Sequence, residues 1–247
     1  IERRFGRFCK SIFVRFLVEG GRSKMQTNEG LYICLEGIDG AGKTSQISKI
    51  HEYLEEQGNK IVRVREPYDT PIAADLFKYV LNAHTLEDYT KAMLMLACRY
   101  DIQYKKIKPA LEEGCIVLSD RSFISMLAYQ LMYTGKSDHQ QIRRFIELST
   151  YVVRRPDRVL MFDLPTSVAL ERCDSPPFSP VGWTNAEYLE QVRKSYLRMM
   201  HWGMIENAVP VDALKDPGQV FLDLKKIIDA DVEAYRLRIL ERAKKGA

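Results

Sequence analysis

Residues 31–44, LYICLEGIDGAGKT, join a short apolar run to a glycine-rich loop. The loop fits the pattern G-x-x-x-x-G-K-[ST], with Gly37, Gly42, Lys43 and Thr44 at the required positions. Glycines let backbone N–H groups approach a polyphosphate without Cβ clashes, and the helix that follows presents its positive end to the anion. A plain glycine turn between a strand and a helix is the alternative interpretation. Because a helix-forming segment, SQISKIHEYLEEQG, follows directly, the order of elements favours an ATP or GTP site.

Two side chains of this loop extend the prediction. Lys43 adds a mobile positive charge for the outer phosphates, and Thr44 offers a hydroxyl group to Mg²⁺. We therefore predict that ATP and Mg²⁺ bind here. The predicted ATP-binding residues are Gly37, Ile38, Asp39, Gly40, Ala41, Gly42, Lys43, Thr44 and Ser45.

The composition indicates one globular domain. The chain has 247 residues, of which 46% are hydrophobic and 28% are charged, and this suits a single α/β domain with a full core. Seven basic and two acidic side chains give residues 1–24 a charge of +5, so the net charge of +4 leaves −1 for the remainder. A body of that charge is not a basic nucleic-acid binder. We expect small-molecule nucleotides as partners, and no nucleic acid.

Residues 1–24 have a basic amphipathic pattern. Apolar side chains recur at i, i+3 and i+4 spacing with arginines mostly opposite them, a pattern found in organelle transit peptides. Two glutamates in the basic face, and Met25 as a plausible native start, favour a vector-derived or upstream sequence, or an added surface helix, instead. We predict an extension over residues 1–24 and one domain over residues 25–247. The expected location is the cytoplasm, with an organelle as the alternative.

The cysteines and the apolar runs exclude other classes of protein. Five cysteines are scattered without a C-x-x-C pair, which argues against a zinc site or a disulfide framework and for a reducing compartment. No apolar stretch approaches the ~18 residues of a membrane span.

Strand patterns alternate with helical patterns along the chain. The predicted strands cover residues 31–36, 61–66, 115–120, 158–164 and 208–213. The first predicted helix follows the P-loop and ends near residue 57. The others cover about 71–82, 86–112, 122–134, 138–153, 185–206 and the C-terminal residues, and a proline-rich loop lies at 173–183. This alternation predicts an α/β fold with a doubly wound five-stranded parallel sheet, whose ligands bind beyond the carboxyl ends of the strands.

Charged residues follow three of the predicted strands. Asp39 lies in the loop after the first strand, Arg65 and Glu66 end the second, and Asp120 and Arg121 end the third. An aspartate after an apolar strand near a P-loop suits Mg²⁺ and its waters, while an adjacent arginine can neutralise charge between donor and acceptor phosphates. The alternative for Asp120 and Arg121 is a helix N-cap followed by a surface arginine.

Four longer segments give a specific resemblance. They are REPYDTPIAADL (65–76), LMLACRYDIQYKKIKPALEEGCIVLSDRSFISMLAYQ (94–130), RRPDRVLMFDLPTSVALER (154–172) and PVDALKDPGQVFLDLKKI (210–227). In this order they resemble successive segments of thymidylate kinases, which are P-loop kinases of the nucleoside monophosphate kinase type. The resemblance implies transfer of the ATP γ-phosphate to the 5′-phosphate of a deoxynucleoside monophosphate, typically dTMP. It also implies a homodimer.

The resemblance assigns roles to individual residues. Arg121 bridges the donor and acceptor phosphates, Asp120 acts with Thr44 through the metal or its waters, and Lys43 holds the donor phosphates. Arg99 faces the thymine edge, although a solvated helix charge is the alternative, and a packed core aromatic is the alternative for Tyr129. The implied substrate-binding residues are Asp39, Arg65, Glu66, Phe77, Met95, Arg99, Arg121, Ser125 and Tyr129.

The chain departs from the family pattern in its positive charges. The family usually places a catalytic arginine in the P-loop or in a flexible lid, but the P-loop position here is Gly40, and the lid, around residues 173–184, has no lysine or arginine. Such an arginine contributes ~10³ or more in rate in related phosphoryl transfer. We predict that Arg172 is the catalytic replacement, with Arg193 as the alternative, or else that the enzyme is slow.

The base pocket departs as well. Many members stack thymine on a phenylalanine where this chain has Met95, and Phe77 stands where some bacterial members have an arginine. We therefore expect stacking and edge recognition to be redistributed in this pocket.

Two other functions fit parts of the sequence. A deoxynucleoside kinase would need a general base for a 5′-hydroxyl near the second strand, and Glu66 could serve. A P-loop protein that binds nucleotide with little turnover would fit the arginine-free lid.

Overall fold

A computed structural model describes residues 30–83, 85–134, 139–173 and 184–245 of the chain. Its centre is a five-stranded sheet in which every pairing is parallel, with the order β2-β3-β1-β4-β5. The strands are β1 (Leu31–Gly37), β2 (Ile61–Arg65), β3 (Ile116–Asp120), β4 (Arg158–Asp163) and β5 (Ala208–Asp212). The predicted doubly wound parallel sheet is confirmed. The predicted extension, residues 1–24, and residues 174–183 of the predicted lid lie outside the described residues.

Strand β1 occupies the middle of the sheet. It pairs with β3 on one side, where Leu31 is opposite Ile116, and with β4 on the other, where Ile33 is opposite Arg158. All seven residues of β1 are buried, as expected for a central parallel strand covered on both faces. The loop after β1 therefore begins at the centre of the carboxyl edge of the sheet.

Helices flank the sheet. They are α1 (Lys43–Glu56), α2 (Pro71–Asn82), α3 (Asp88–Ile102), α4 (Lys108–Glu112), α5 (Phe123–Met126), α6 (His139–Val152), α7 (Thr166–Glu171), α8 (Asn185–His201) and α9 (Pro217–Lys245). Helix α1 packs against β1, β2, β3 and α9, whereas α3 packs against α2 and α5. No helix in the described ranges is both long enough and apolar enough to cross a membrane.

Three predicted helices differ from those observed. A π-helical turn, Gln103–Ile107, joins α3 to α4 within the predicted helix 86–112, and a second, Leu127–Met132, follows α5. The helix predicted over 185–206 ends earlier, at His201. Gly203 has a φ of 65°, and its N–H donates to the carbonyl of Met200 at 3.0 Å. A left-handed glycine with this bond is a common way for a helix to end.

Candidate active site

A cleft of about 1240 Å³ opens at the carboxyl edge of the sheet. The P-loop, the ends of β2 and β3, and side chains from α2 and α3 line one part of it, and residues after β5 line another. Sites for one small molecule usually measure about 300–1,000 Å³. The cleft is therefore larger than a site for one small molecule usually is.

The P-loop has the geometry that its sequence predicts. Gly40 and Gly42 have φ angles of 78° and 84°, in the left-handed region that glycine tolerates best. The first turn of α1 contains no acidic residue of its own, which favours binding of an anion at the positive end of this helix. The buried Lys43 Nζ donates to the carbonyls of Gly37 at 3.0 Å and Ile38 at 2.8 Å. Burial, followed by the nearby guanidinium of Arg121, lowers the pKa of Lys43 to about 8.

Thr44 and Asp120 lie side by side at the start of α1 and the end of β3. The Thr44 hydroxyl donates to Asp120 Oδ2 at 2.9 Å, while Asp120 Oδ1 is buried and has no hydrogen-bond partner among the described residues. Among the described residues, no three His, Cys, Asp or Glu side chains cluster as a metal site. Mg²⁺ usually keeps several waters and binds through one or two carboxylates and the substrate phosphates. This pair, with its unpaired carboxylate oxygen, fits that kind of cation.

Arg121 connects the P-loop with the opposite wall of the cleft. Its guanidinium forms an ion pair with Asp39 and donates to the Gly37 carbonyl at 3.3 Å and to Ser125 Oγ at 3.0 Å. It also lies 4.9 Å from the centre of the Tyr129 ring, whose hydroxyl donates to Asp39 Oδ2 at 3.0 Å. Burial opposes ionisation of Asp39, but the Arg121 and Lys43 charges outweigh it and lower the pKa of Asp39. These contacts therefore fix the positively charged guanidinium of Arg121 in one position, between the P-loop and the wall that contains Ser125 and Tyr129.

Arg99 and Glu66 form a buried ion pair beneath the other end of the cleft. Both residues are 2% exposed, and Arg99 Nε lies 3.1 Å from Glu66 Oε2. Arg99 also donates from Nε to the Ser122 carbonyl at 3.0 Å and from Nη1 to the Met95 carbonyl at 3.3 Å. Burial raises the pKa of Glu66 to about 7, despite the opposing charge of Arg99. Arg99 is thus no solvated helix charge; it contributes to the cleft wall, whereas Glu66 lies behind it.

An aromatic pair lines the wall near Arg99. The Phe77 and Tyr68 rings are 5.1 Å apart with 31° between their planes, and the Arg65 guanidinium lies 4.9 Å from the centre of the Tyr68 ring. Met95 is buried in the same wall. The sequence predicts Phe77, Met95 and Arg65 as site residues but not Tyr68. The PYDTP turn that contains Tyr68 was the available signal.

The two candidates for the missing positive charge have different surroundings. Arg172, at the end of α7, lines the cleft, and its Nη1 donates to the Ala213 carbonyl at 2.8 Å. Arg193 donates from Nε and Nη2 to the two carboxylate oxygens of Asp163, at 2.6 and 3.0 Å, and does not line the cleft. A catalytic role for Arg172 stays a prediction.

Gly40 shows why the P-loop contains no arginine at this position. A Cβ atom built on Gly40 would lie 2.0 Å from the carbonyl oxygen of Ala169 in α7, far inside van der Waals contact. Helix α7 therefore packs directly on the P-loop backbone. A side chain of any kind at position 40 would require the loop or the helix to move.

Glu36 is the main residue beside the site that the sequence does not predict. It ends the apolar part of β1, is fully buried, and accepts hydrogen bonds from Ser122, Ser125 and Tyr196. An acidic residue closing an otherwise apolar strand just before the P-loop was the signal that could have revealed it.

Most of the predicted site residues meet in this one cleft. The exceptions are Gly37, Ile38 and Glu66, which do not line it. Gly37 and Ile38 still contribute carbonyl acceptors to Lys43 from beneath the loop. The individual roles of all these residues remain predictions.

Comparison with known proteins identifies the family. The family model described as thymidylate kinase matches residues 35–221. Thymidylate kinase of Thermosipho africanus is 29% identical over 207 residues, which are 83% of this chain and 100% of that protein. Those of Symbiobacterium thermophilum (32% over 201 residues; 81% of this chain, 92% of that protein) and Desulforudis audaxviator (36% over 173 residues; 69% and 77%) are also similar. Because the family model and whole relatives match most of its length, the chain belongs to the thymidylate kinase family of phosphotransferases.

Proposed function

We propose that this protein transfers the γ-phosphate of ATP to the 5′-phosphate of dTMP, giving ADP and dTDP. The observation that supports this most directly is the position of Arg121, which touches the P-loop on one side and Ser125 and Tyr129 on the other. A fixed guanidinium between two anionic groups is what transfer from phosphate to phosphate requires. The relatives are named thymidylate kinases, and this name supports dTMP as the acceptor.

On the donor side, Lys43 changes partners when ATP binds. Its ammonium group leaves the Gly37 and Ile38 carbonyls and contacts the β- and γ-phosphates, whose negative charge restores the pKa that burial has lowered. Thr44 and Asp120 would hold Mg²⁺, directly or through water. When bound, Mg²⁺ supplies neutralising charge and orientation for the phosphate oxygens.

On the acceptor side, no general base is needed. The attacking oxygen belongs to a phosphate that is already ionised near neutral pH. Arg121 orients that phosphate and exchanges part of its contact with Asp39 for the incoming anion. The position of Glu66 supports the same conclusion, because the carboxylate that a deoxynucleoside kinase would need lies behind Arg99 and outside the cleft wall.

Recognition of the base rests on Arg99 and the aromatic wall. A guanidinium only donates hydrogen bonds, so it favours a base edge with an acceptor, such as O4 of thymine, over the amino group of cytosine. Phe77 and Tyr68 offer the ring faces that Met95 does not provide. We propose that they take over stacking on the base.

A panel of acceptors tests this function. ADP release is measured with ATP and Mg²⁺ and with dTMP, dUMP, dGMP, dCMP, dAMP or thymidine, with Lys43→Ala as the inactive control. We expect dTMP to have the highest kcat/KM and thymidine to be inert. Faster turnover of thymidine would indicate a deoxynucleoside kinase. Tight nucleotide binding without turnover of any acceptor would indicate a binding protein.

We also propose that the protein is a homodimer. Met93, Tyr100 and Tyr104 are 45%, 51% and 64% exposed, and their spacing places them on one face of α3 and its π-helical continuation. Tyr79 of α2 is 58% exposed. A second copy would cover these side chains. Sedimentation of wild type and of Tyr100→Asp tests this, since a monomer in both cases would contradict it.

A further inference from the structure

The carboxyl group of Glu36 accepts hydrogen bonds from Ser122 and Ser125, which lie in one short segment, and from Tyr196 of α8. Oε1 accepts from the backbone N–H and hydroxyl of Ser122, at 2.7 and 2.8 Å, and from the backbone N–H of Ser125 at 3.2 Å. Oε2 accepts from the Ser125 hydroxyl at 2.6 Å and the Tyr196 hydroxyl at 2.9 Å. Glu36 is fully buried and does not line the cleft, so it touches no substrate.

The segment bound by Glu36 starts directly after Arg121, whose backbone is unusual. Arg121 has a φ of 74°, a left-handed backbone conformation that residues other than glycine adopt only at a cost in free energy. Its N–H donates to the Leu35 carbonyl at 3.0 Å, and its own carbonyl accepts from the Ser119 hydroxyl at 2.7 Å. The residues around it must therefore hold this turn in place, and the Glu36–Ser122 contacts do so on its C-terminal side.

A second link runs to the Arg121 side chain. Ser125 Oγ donates to Glu36 Oε2 and accepts from Arg121 Nη1 at 3.0 Å. One hydroxyl thus connects the buried carboxyl group to the guanidinium. Without its bond to Glu36, the Ser125 side chain could rotate about its Cα–Cβ bond and move Oγ, an acceptor of the guanidinium, away from Arg121.

We propose that Glu36 is a positioning residue for phosphoryl transfer, which holds the backbone turn and the guanidinium of Arg121 in the orientation that bridges the two phosphates. The inference rests on the proposed function. Glu36 sets where the Arg121 charge stands before substrates arrive, and a charge fixed in advance stabilises the transition state without reorganisation.

The test compares Glu36→Gln with two other variants. Glutamine keeps the volume but replaces one acceptor oxygen with an NH₂ donor. With the amide oxygen facing the backbone N–H groups, the NH₂ group faces the hydroxyls of Ser125 and Tyr196, which can then no longer donate to this position. Tyr196→Phe removes the hydroxyl that donates to Oε2 and that also lies 2.8 Å from Ser125 Oγ. Ser149→Ala is the matched control, because Ser149 is equally buried and its hydroxyl donates to the Phe145 carbonyl within its own helix.

Kinetics separate positioning from general damage to the fold. We expect Glu36→Gln to lower kcat at least ~30-fold and Tyr196→Phe ~3-fold or more, with ATP KM within ~3-fold and Ser149→Ala unchanged. In an Arg121→Ala background, Glu36→Gln should change kcat by less than ~3-fold, since its target is absent. Equal losses in both backgrounds, or a folded Glu36→Gln variant with kcat within ~3-fold of wild type, would overturn the proposal.

A readout without turnover keeps this test independent of the acceptor. Amide hydrogen exchange of the peptide over residues 120–126 should be at least ~10-fold faster in Glu36→Gln than in wild type or Ser149→Ala, and unchanged exchange would contradict the proposal. If wild type does not phosphorylate dTMP, the proposed function fails while the exchange result still decides the inference. If Glu36→Gln does not fold, Tyr196→Phe is measured in its place. A kcat within ~3-fold of wild type, or unchanged hydrogen exchange over residues 120–126, would then contradict the proposal.

Discussion

Replacing Gly40 with alanine tests the packing of α7 on the P-loop. The added Cβ would lie 2.0 Å from the Ala169 carbonyl oxygen and 2.7 Å from its carbonyl carbon. Both are backbone atoms, so no side chain can rotate out of the way. Gly58 provides a matched control, because it has the same φ of 78° and no atom of the described residues lies within 4 Å of the added Cβ.

The structure sets the expected size of each effect. Alanine in the left-handed region costs ~1–2 kcal/mol at either position. Only at Gly40 does overpacking add a further ~1–3 kcal/mol, because the loop or α7 must move by about 1 Å before a methyl group fits. A shift of about 1 Å in a phosphate-binding loop can lower kcat by ~10². Gly40→Arg should lose at least as much, although it introduces the arginine that other family members place here.

Denaturant unfolding and ADP release measure these two effects. We expect Gly40→Ala to lose ~1–3 kcal/mol more stability than Gly58→Ala, and ~10² in kcat where Gly58→Ala loses almost none. Equal stability losses for the two alanine variants, with kcat of Gly40→Ala within ~3-fold of wild type, would refute the expected clash between a side chain at position 40 and the Ala169 carbonyl. A faster Gly40→Arg enzyme would show that α7 yields to a side chain.

Arg121→Ala should lower kcat by ~10³, whereas Arg99→Ala should mainly raise the KM for dTMP and weaken the base preference; similar kcat losses in steady-state assays would mean that the roles are misassigned. Arg172→Ala should lower kcat by ~10² with little change in ATP KM, and Arg193→Ala, whose guanidinium is in an ion pair outside the cleft, by less than ~3-fold. If neither variant loses tenfold, Arg172 does not replace the missing arginine. Burial raises the pKa of Glu66 from 4.5 to about 7 in the folded state. The contribution of Glu66 to the free energy of unfolding is therefore fully present at low pH, where the carboxyl group is protonated, and is lost as pH rises through about 7. The free energy of unfolding of Glu66→Gln relative to wild type should therefore rise by ~2 kcal/mol between pH 5 and 7.5, and a constant difference would contradict the shift.

The sequence predicts the fold well because the informative patterns are local. The apolar run of β1, the glycines of the P-loop and the charged residues after β2 and β3 each need only a few neighbouring positions to be recognised. Parallel strands bring their carboxyl ends to one edge, so Asp39, Asp120 and Arg121 could be placed together before any coordinates. The two π-helical turns were missed, because nothing in a helical pattern distinguishes a wide turn from a regular one.

Contacts between distant residues were not predictable in this way. Glu36 lies 86 residues from Ser122 and 160 from Tyr196, and no local pattern links an acidic strand residue to those hydroxyls. The approach of Ala169 to Gly40 depends on how α7 crosses the loop. The burial of Arg99 depends on Glu66 as a counter-ion. In each case tertiary packing decides the role of the residue.

The strand order also bears on how the chain folds as it is synthesised. Strand β1 is made first, yet its neighbours are residues 116–120 on one side and 158–162 on the other. Until β4 leaves the ribosome, one edge of an apolar strand retains unpaired backbone groups that can associate with other chains. Pairing across such separations is slow, because the long loops must close first. Chains interrupted before β4 should therefore aggregate, and soluble yield should depend more on translation through β3 and β4 than on the stability of the outer helices.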